Sequence, residues 1–157
     1  MRKKLLSLLS IAAVAVSFGQ TYTTQNSGIP SQSFGARVYS IVDPNTAWIT
    51  YFDGSGGQTY PKYIGVTTNG GTSWKANLVS NLPSNALISD VGAINGTTAF
   101  IVTAPASGSA AANGLWKTTN SGTSWSKVSG VFGNSSFGNI VRFFDANNGL
   151  VIGDPIN

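Results

Sequence analysis

The chain has 157 residues, with 9% charged side chains and a formal net charge of +4; ordinary soluble proteins carry roughly 25% charged residues. It has no Cys and no His, which excludes thiol nucleophiles, Ser–His arrangements and metal sites built on those ligands. Three of its nine basic residues are Arg2, Lys3 and Lys4; beyond residue 19, six remain against five aspartates, about +1, so no basic patch is left for nucleic acid.

The N-terminal segment combines that basic head with an apolar run from Leu5 to Val16 and a small-residue site at Ser17-Phe18-Gly19. This reads as a secretory signal peptide over residues 1–19. A bilayer-spanning helix takes about 20 residues, and the run is shorter. The expectation is a secreted or cell-surface protein that is not integral to the membrane after cleavage. Residues 20–36 are polar, without periodicity, and read as an N-terminal lead-in.

Strands are expected from Arg37. Val38–Asp43 and Ala47–Phe52 flank the turn Pro44-Asn45-Thr46. Asp53–Gln58 is a loop. Tyr60–Thr68 is a third strand, with Pro61 restricting that point to a strand start or an edge. Thr67-Thr68-Asn69-Gly70-Gly71-Thr72-Ser73-Trp74 then turns the chain into a fourth strand ending at Val79. A second unit repeats the plan with Leu87–Ile94, Ala99–Thr103, the low-complexity loop Ala104–Asn113, Leu115–Thr118 and Trp125–Ser129. A third begins with Ile140–Asp145 and Gly149–Asp154.

The octapeptide returns as Thr118-Thr119-Asn120-Ser121-Gly122-Thr123-Ser124-Trp125, 51 residues on. Asp145 and Asn147 follow Asp43 and Asn45 at 102, twice that period. In the middle unit, Ile94 takes the place of the Asp and Gly96 that of the Asn, with a one-residue slip before Ala99. A repeat of this length decides the architecture. Four antiparallel strands per unit predict an all-β chain, a β-propeller with four-stranded blades of about 51 residues. Blades are expected at 37–79 and 87–129, with a partial blade at 139–157. A third octapeptide would fall past Asn157, and propellers close with about four to eight blades. The sequence therefore reads as roughly two and a half blades from the N-terminal part of a longer protein.

In the octapeptide, Asn69 and Asn120 are expected to bond the backbone of their own turns. Gly71 and Gly122 are expected at positive φ. Thr72 and Thr123 should cap the turn through their hydroxyls. Trp74 and Trp125 should pack between the outer strands of their blades. With Thr67 and Thr118, these residues form a structural lock rather than a ligand site.

The octapeptide resembles the Asp-box or BNR repeat, Ser/Thr-x-Asp-x-Gly-x-Thr-Trp, with Asn69 and Asn120 for the Asp and Ser73 and Ser124 for the last Thr. Over Arg37–Asn157 the chain is similar to photosystem II assembly-factor-like propellers and their secreted bacterial relatives. The box also occurs in sialidases and the sortilin ectodomain. The signal peptide followed by such blades resembles exported surface proteins of the Bacteroidetes type IX pathway. The resemblance implies fold more than function.

A sialidase site would need clustered arginines, a Tyr with a Glu, and an acid–base Asp. Past residue 19 the chain has two arginines, Arg37 and Arg142, near the same place in blades one and three, and no Glu. Asp53 or Asp154 could contribute to a calcium site, but each reads more simply as a turn residue. Gly54-Ser55-Gly56-Gly57 lacks the Lys and helix of a phosphate loop. No catalytic residue, metal or cofactor is therefore assigned.

Strand parity puts Pro44–Thr46 and the octapeptide on one face. The loops Asp53–Thr59, Ser80–Ala86, Ala104–Asn113 and Gly130–Asn139 lie on the other, where binding is expected. Tyr60, Phe132 and Phe137 are the nearest aromatic candidates; burial at the loop bases is the alternative for all three. The expected function is a non-catalytic binding or assembly scaffold for a protein or glycan, not nucleic acid. The alternative is a sialidase-like glycoside hydrolase with its catalytic residues in further blades.

Overall fold

The structure is a computed structural model that describes residues 19, 21–26, 28–57, 59–107, 110–133 and 136–154. The expected signal peptide lies outside these residues except for Gly19. Ten strands follow in order: β1 Phe34–Ile41, β2 Ala47–Asp53, β3 Tyr63–Thr67, β4 Lys75–Leu78, β5 Ala86–Ala93, β6 Ala99–Pro105, β7 Gly114–Thr118, β8 Ser126–Val128, β9 Phe137–Phe143 and β10 Gly149–Asp154. They form antiparallel meanders β1-β2-β3-β4 and β5-β6-β7-β8, and a pair β9-β10. Among the described residues the helical content is one 3-10 turn, Ala110–Ala112, and no helix is long and apolar enough to cross a membrane.

Each first strand begins earlier than its apolar pattern suggests. β1 starts at Phe34, inside the expected lead-in, and β9 at Phe137. The cause is a bulge. Register slips between Ala36 and Tyr39, between Ile88 and Asp90, and at Ile152/Gly153 opposite β9. An extra residue on one strand shifts the in–out alternation, so a period-two reading of the sequence ends at the bulge. β3 in turn starts at Tyr63, three residues after Tyr60, with Pro61 outside the ladder.

The core lies between the sheets. Trp48, Ile64 and Val66 of the first pack with Val91, Ile101, Trp116 and Trp125 of the second. Val102 and Leu115 pack with Val141 of the third, joined by Phe100 and Phe143. The two rings Phe100 and Phe143 lie 4.8 Å apart. β5 adjoins both β1 and β9, so the first strands of successive blades stand side by side. Gly92 is needed there: a Cβ would come 2.9 Å from the Val141 carbonyl oxygen.

The hairpin turns repeat with a corrected register. Asp43 Oδ1 accepts from the N–H groups of Asn45 and Thr46 at 2.7 and 2.9 Å. Asp145 Oδ1 does the same for Asn147 and Asn148. In the middle blade the acceptor is Asn95, taking Thr97 and Thr98 at 2.9 and 2.7 Å, and not the position of Ile94. Asn95 is thus the counterpart of Asp43, and the spacing alternates: 52 residues from Asp43 to Asn95, 50 from Asn95 to Asp145.

The entry to each blade also repeats. Phe34 N–H bonds Ser31 O at 3.1 Å, Ala86 N–H bonds Pro83 O at 3.0 Å, and Ser136 N–H bonds Gly133 O at 3.2 Å. The later part of the lead-in is therefore a regular connection into blade one.

Candidate functional site

The octapeptide turns are two copies of one hydrogen-bond network. Thr67 Oγ1 accepts the N–H of Gly71 at 3.0 Å and donates to Asn69 Oδ1 at 3.0 Å. Asn69 Oδ1 also accepts Ser73 N–H at 2.9 Å, while its Nδ2 donates to Ser73 Oγ at 2.9 Å. Thr118, Asn120, Gly122 and Ser124 reproduce every bond to within 0.1 Å. Thr67 and Thr118 are 3% and 1% exposed, so these hydroxyls close the turn from inside. Thr72 and Thr123, expected to act through their hydroxyls, instead give backbone N–H groups to Asn69 O and Asn120 O at 3.2 Å. Gly71 and Gly122 have φ of 82° and 79°.

The tryptophans also differ from expectation. Trp125 packs across the blade boundary, edge-on to Trp48 of blade one at 6.5 Å and 81°, with Nε1 donating to Gly122 O at 3.2 Å. Trp48 is fully buried, and its Nε1 donates to Asn95 O at 2.9 Å. Trp74 has no such ring against it and is half-buried. Every polar group of the octapeptide is thus engaged in its own turn, which leaves it little chemistry to offer a ligand.

The hairpin and octapeptide turns share one face, since Gly70 N–H bonds Asn45 O at 2.9 Å and Ser121 N–H bonds Thr97 O at 3.0 Å. The long loops meet at the opposite face. There Lys62 Nζ donates to Pro83 O and Ser84 O at 2.7 and 2.9 Å. The loop 104–113 is anchored at its end: Ala112 is fully buried, and Asn113 Oδ1 accepts Gly138 N–H at 3.0 Å.

On this face a cleft of about 270 Å³ opens between blades one and two, walled by Arg37, Phe52, Tyr60 and Pro61 over Tyr51 and Ile88. Tyr60 is 45% exposed and Arg37 is exposed. Tyr51 is buried, which pushes its phenol up to about 12. Asp53, at the rim, accepts from the Thr59 hydroxyl and from Ser55 N–H at 2.9 Å. The Thr59 hydroxyl first, and the Ser55 bonds next, hold its carboxyl down at about 2. Asp53 thereby stays anionic and ties the 53–59 loop in place. Arg37 and Asp53 give the cleft both signs of charge, and Tyr60 an aromatic wall.

The other expected aromatics are placed differently. Phe132 is half-buried, with a ring carbon 2.8 Å from where a Cβ on Gly153 would sit. Phe137 opens β9 and is also half-buried. Both support the loop base rather than stand in the cleft. Arg37 and Arg142 do not correspond. Arg37 lies in the β1 bulge, whereas Arg142 pairs with Leu150 and matches Ser40. Arg142 sits in a separate cleft beside Tyr39, its Nη1 paired with Asp90. Asp90 is 3% exposed, and its Oδ2 also takes Val141 N–H at 2.9 Å. This clasp between blades two and three had no counterpart in the repeat to reveal it. Asp154 accepts from Asn139 Nδ2 at 2.8 Å, and among the described residues no three metal-binding side chains cluster.

Two solved structures share this arrangement. One is described as YCF48 bound to D1 peptide, with a TM-score of 0.52, 16% identity, and coverage of 80% of this chain and 40% of the other. The second is YCF48 from Cyanidioschyzon merolae, with a TM-score of 0.54, 17% identity and coverage of 80% and 36%. The fold is a β-propeller fold. The chain spans less than half the length of either structure. No family model and no curated protein matches the sequence.

Proposed function

We propose that the chain is part of an exported, non-catalytic propeller that binds an extended protein segment on its long-loop face. The observation that carries this reading is the cleft of Arg37, Asp53 and Tyr60 between blades one and two. A cation, a fixed carboxylate and an exposed phenol ring suit a peptide, which offers backbone amides, a charged group and an apolar side chain together. The solved structure with a bound peptide supports a protein ligand. Secretion or surface display rests on the signal-like residues 1–19.

The test is binding of a random peptide library, with a glycan array alongside. Tyr60→Ala and Arg37→Ala should each weaken peptide capture about tenfold, equivalent to about 1.4 kcal/mol. Arg142→Ala, in the separate cleft, should leave capture unchanged. Equal capture by all variants, or capture of glycans alone, defeats the reading. Expression in a bacterial host should yield an exported chain shortened by residues 1–19; a retained, full-mass chain defeats the export part.

A further inference from the structure

Blade two shows how a blade is completed by its predecessor. Trp48, second residue of β2, fills a socket formed by Gly122, Trp125 and Asn95. Asn77, on the outermost strand β4, donates from Nδ2 to Ser121 O at 2.9 Å. Asn81, just beyond, donates to Trp125 O at 2.6 Å.

Blade one carries the same socket. A cavity of about 330 Å³ is lined by Asp43, Thr67, Gly71 and Trp74, the counterparts of Asn95, Thr118, Gly122 and Trp125. No aromatic ring of the described residues fills it. The role of Asn77, however, is taken. Gln25 Nε2 donates to Gly70 O at 3.3 Å, and Gly70 is the counterpart of Ser121. Gln25 also precedes Asn77 by 52 residues, the spacing between Asp43 and Asn95. Gly28 then lies against the Trp74 carbonyl oxygen, as Asn81 does against that of Trp125. The chain before β1 thus follows the path of an outermost strand and its exit, beside a socket with no ring in it.

We infer that residues 21–26 are the outermost strand of a blade whose other three strands lie outside residues 19–154, and that this blade seats an aromatic side chain beside Trp74. A second copy of the described residues is a poor occupant. Its Trp48 is buried in its own socket, its Phe100 is stacked on Phe143, and the matching residue of β10 is Leu150. The greater length of the two matched structures allows for such further blades. Because Asn77 pairs with Ile64 of β3, Gln25 should face the corresponding residue of the incoming third strand.

The probe is a synthetic peptide of residues 45–67, which contains β2 and β3 with Trp48. Added to the purified chain, it should slow amide exchange at Gln25 and Asn26 about tenfold. The chain has no Cys, so Gln25→Cys can be oxidised against peptides bearing one cysteine. Cross-linking should favour the Ile64→Cys peptide over an Ile49→Cys peptide, and a Trp48→Ala peptide should give no protection. Cross-linking without register preference, protection that ignores the tryptophan, or no protection overturns the inference. So does concentration-dependent self-association that protects residues 21–26 without peptide, because a second copy would then be the occupant. None of these readouts depends on the long-loop cleft.

Discussion

At the residue scale the octapeptide turns on one hydroxyl. Thr67 and Thr118 each receive a buried glycine N–H and position the following Asn. Removing such a hydroxyl leaves that donor without a partner, which costs about 1–3 kcal/mol. Thr118→Val should lower denaturant-derived stability by that amount, and Thr67→Val likewise. The Asn itself tolerates more. An aspartate at 120 keeps both bonds to Oδ1 and lets the Ser124 hydroxyl turn round and donate. Asn120→Asp should therefore change stability at neutral pH by less than about 0.5 kcal/mol. The hairpin turns supply a pH test. The Asn45 N–H first, with Thr46 adding to it, holds the Asp43 carboxyl below its ordinary value. The Asn148 amide, followed by the N–H groups of Asn147 and Asn148, does the same for Asp145. A depressed carboxylate contributes stability above its unfolded value and loses it as pH falls through the folded one. Acidification from about pH 5 to about pH 2 should loosen the turns at Thr46 and Asn148. The turn at Thr98, built on uncharged Asn95, should hold. Amide exchange at those three residues reads the difference directly.

At the scale of elements, successive blades are joined by single side chains that cross the boundary. Trp48 is the largest. Trp48→Phe loses the bond to Asn95 O and part of the ring area, and should cost about 1–3 kcal/mol. Trp48→Ala should cost about 3–5 kcal/mol, both measured by chemical unfolding. This scale also separates what the sequence disclosed from what it hid. Blade number, strand order and the two faces could be read, because the repeated box and the turn residues recur with spacing. The Asn95 register was hidden because Asn and Asp serve equally in that turn, so aligning on Asp led to Ile94. The entry before β1 did leave a trace: Ile29-Pro30-Ser31-Gln32 resembles Leu82-Pro83-Ser84-Asn85, but one residue out of step with the structural match. Tyr60 could be proposed as a cleft residue from loop parity, and Arg37 could not, since a bulge determines where it stands. Trp125 meeting Trp48 is a contact between residues 77 apart, beyond the reach of any local pattern.

On the scale of the whole molecule, each blade leans on its neighbours and on nothing more distant, as in other repeat architectures. The third pair, β9-β10, depends on the Asp90 clasp. Asp90→Asn offers an amide where a carboxylate now accepts two donors. It should raise amide exchange through Val141 and Ile152 about tenfold, corresponding to about 1.4 kcal/mol, while β1–β4 keep their protection. The meander has one more consequence, which is mechanical. Every strand joins its neighbour through a hairpin or short loop, so a pull on the two chain ends opens each pair bond by bond instead of shearing a whole ladder at once. Blades should yield singly at low force. Each step should release about fifty residues, or about 170 Å of contour at roughly 3.4 Å per residue, with the 52- and 50-residue repeats giving nearly equal steps.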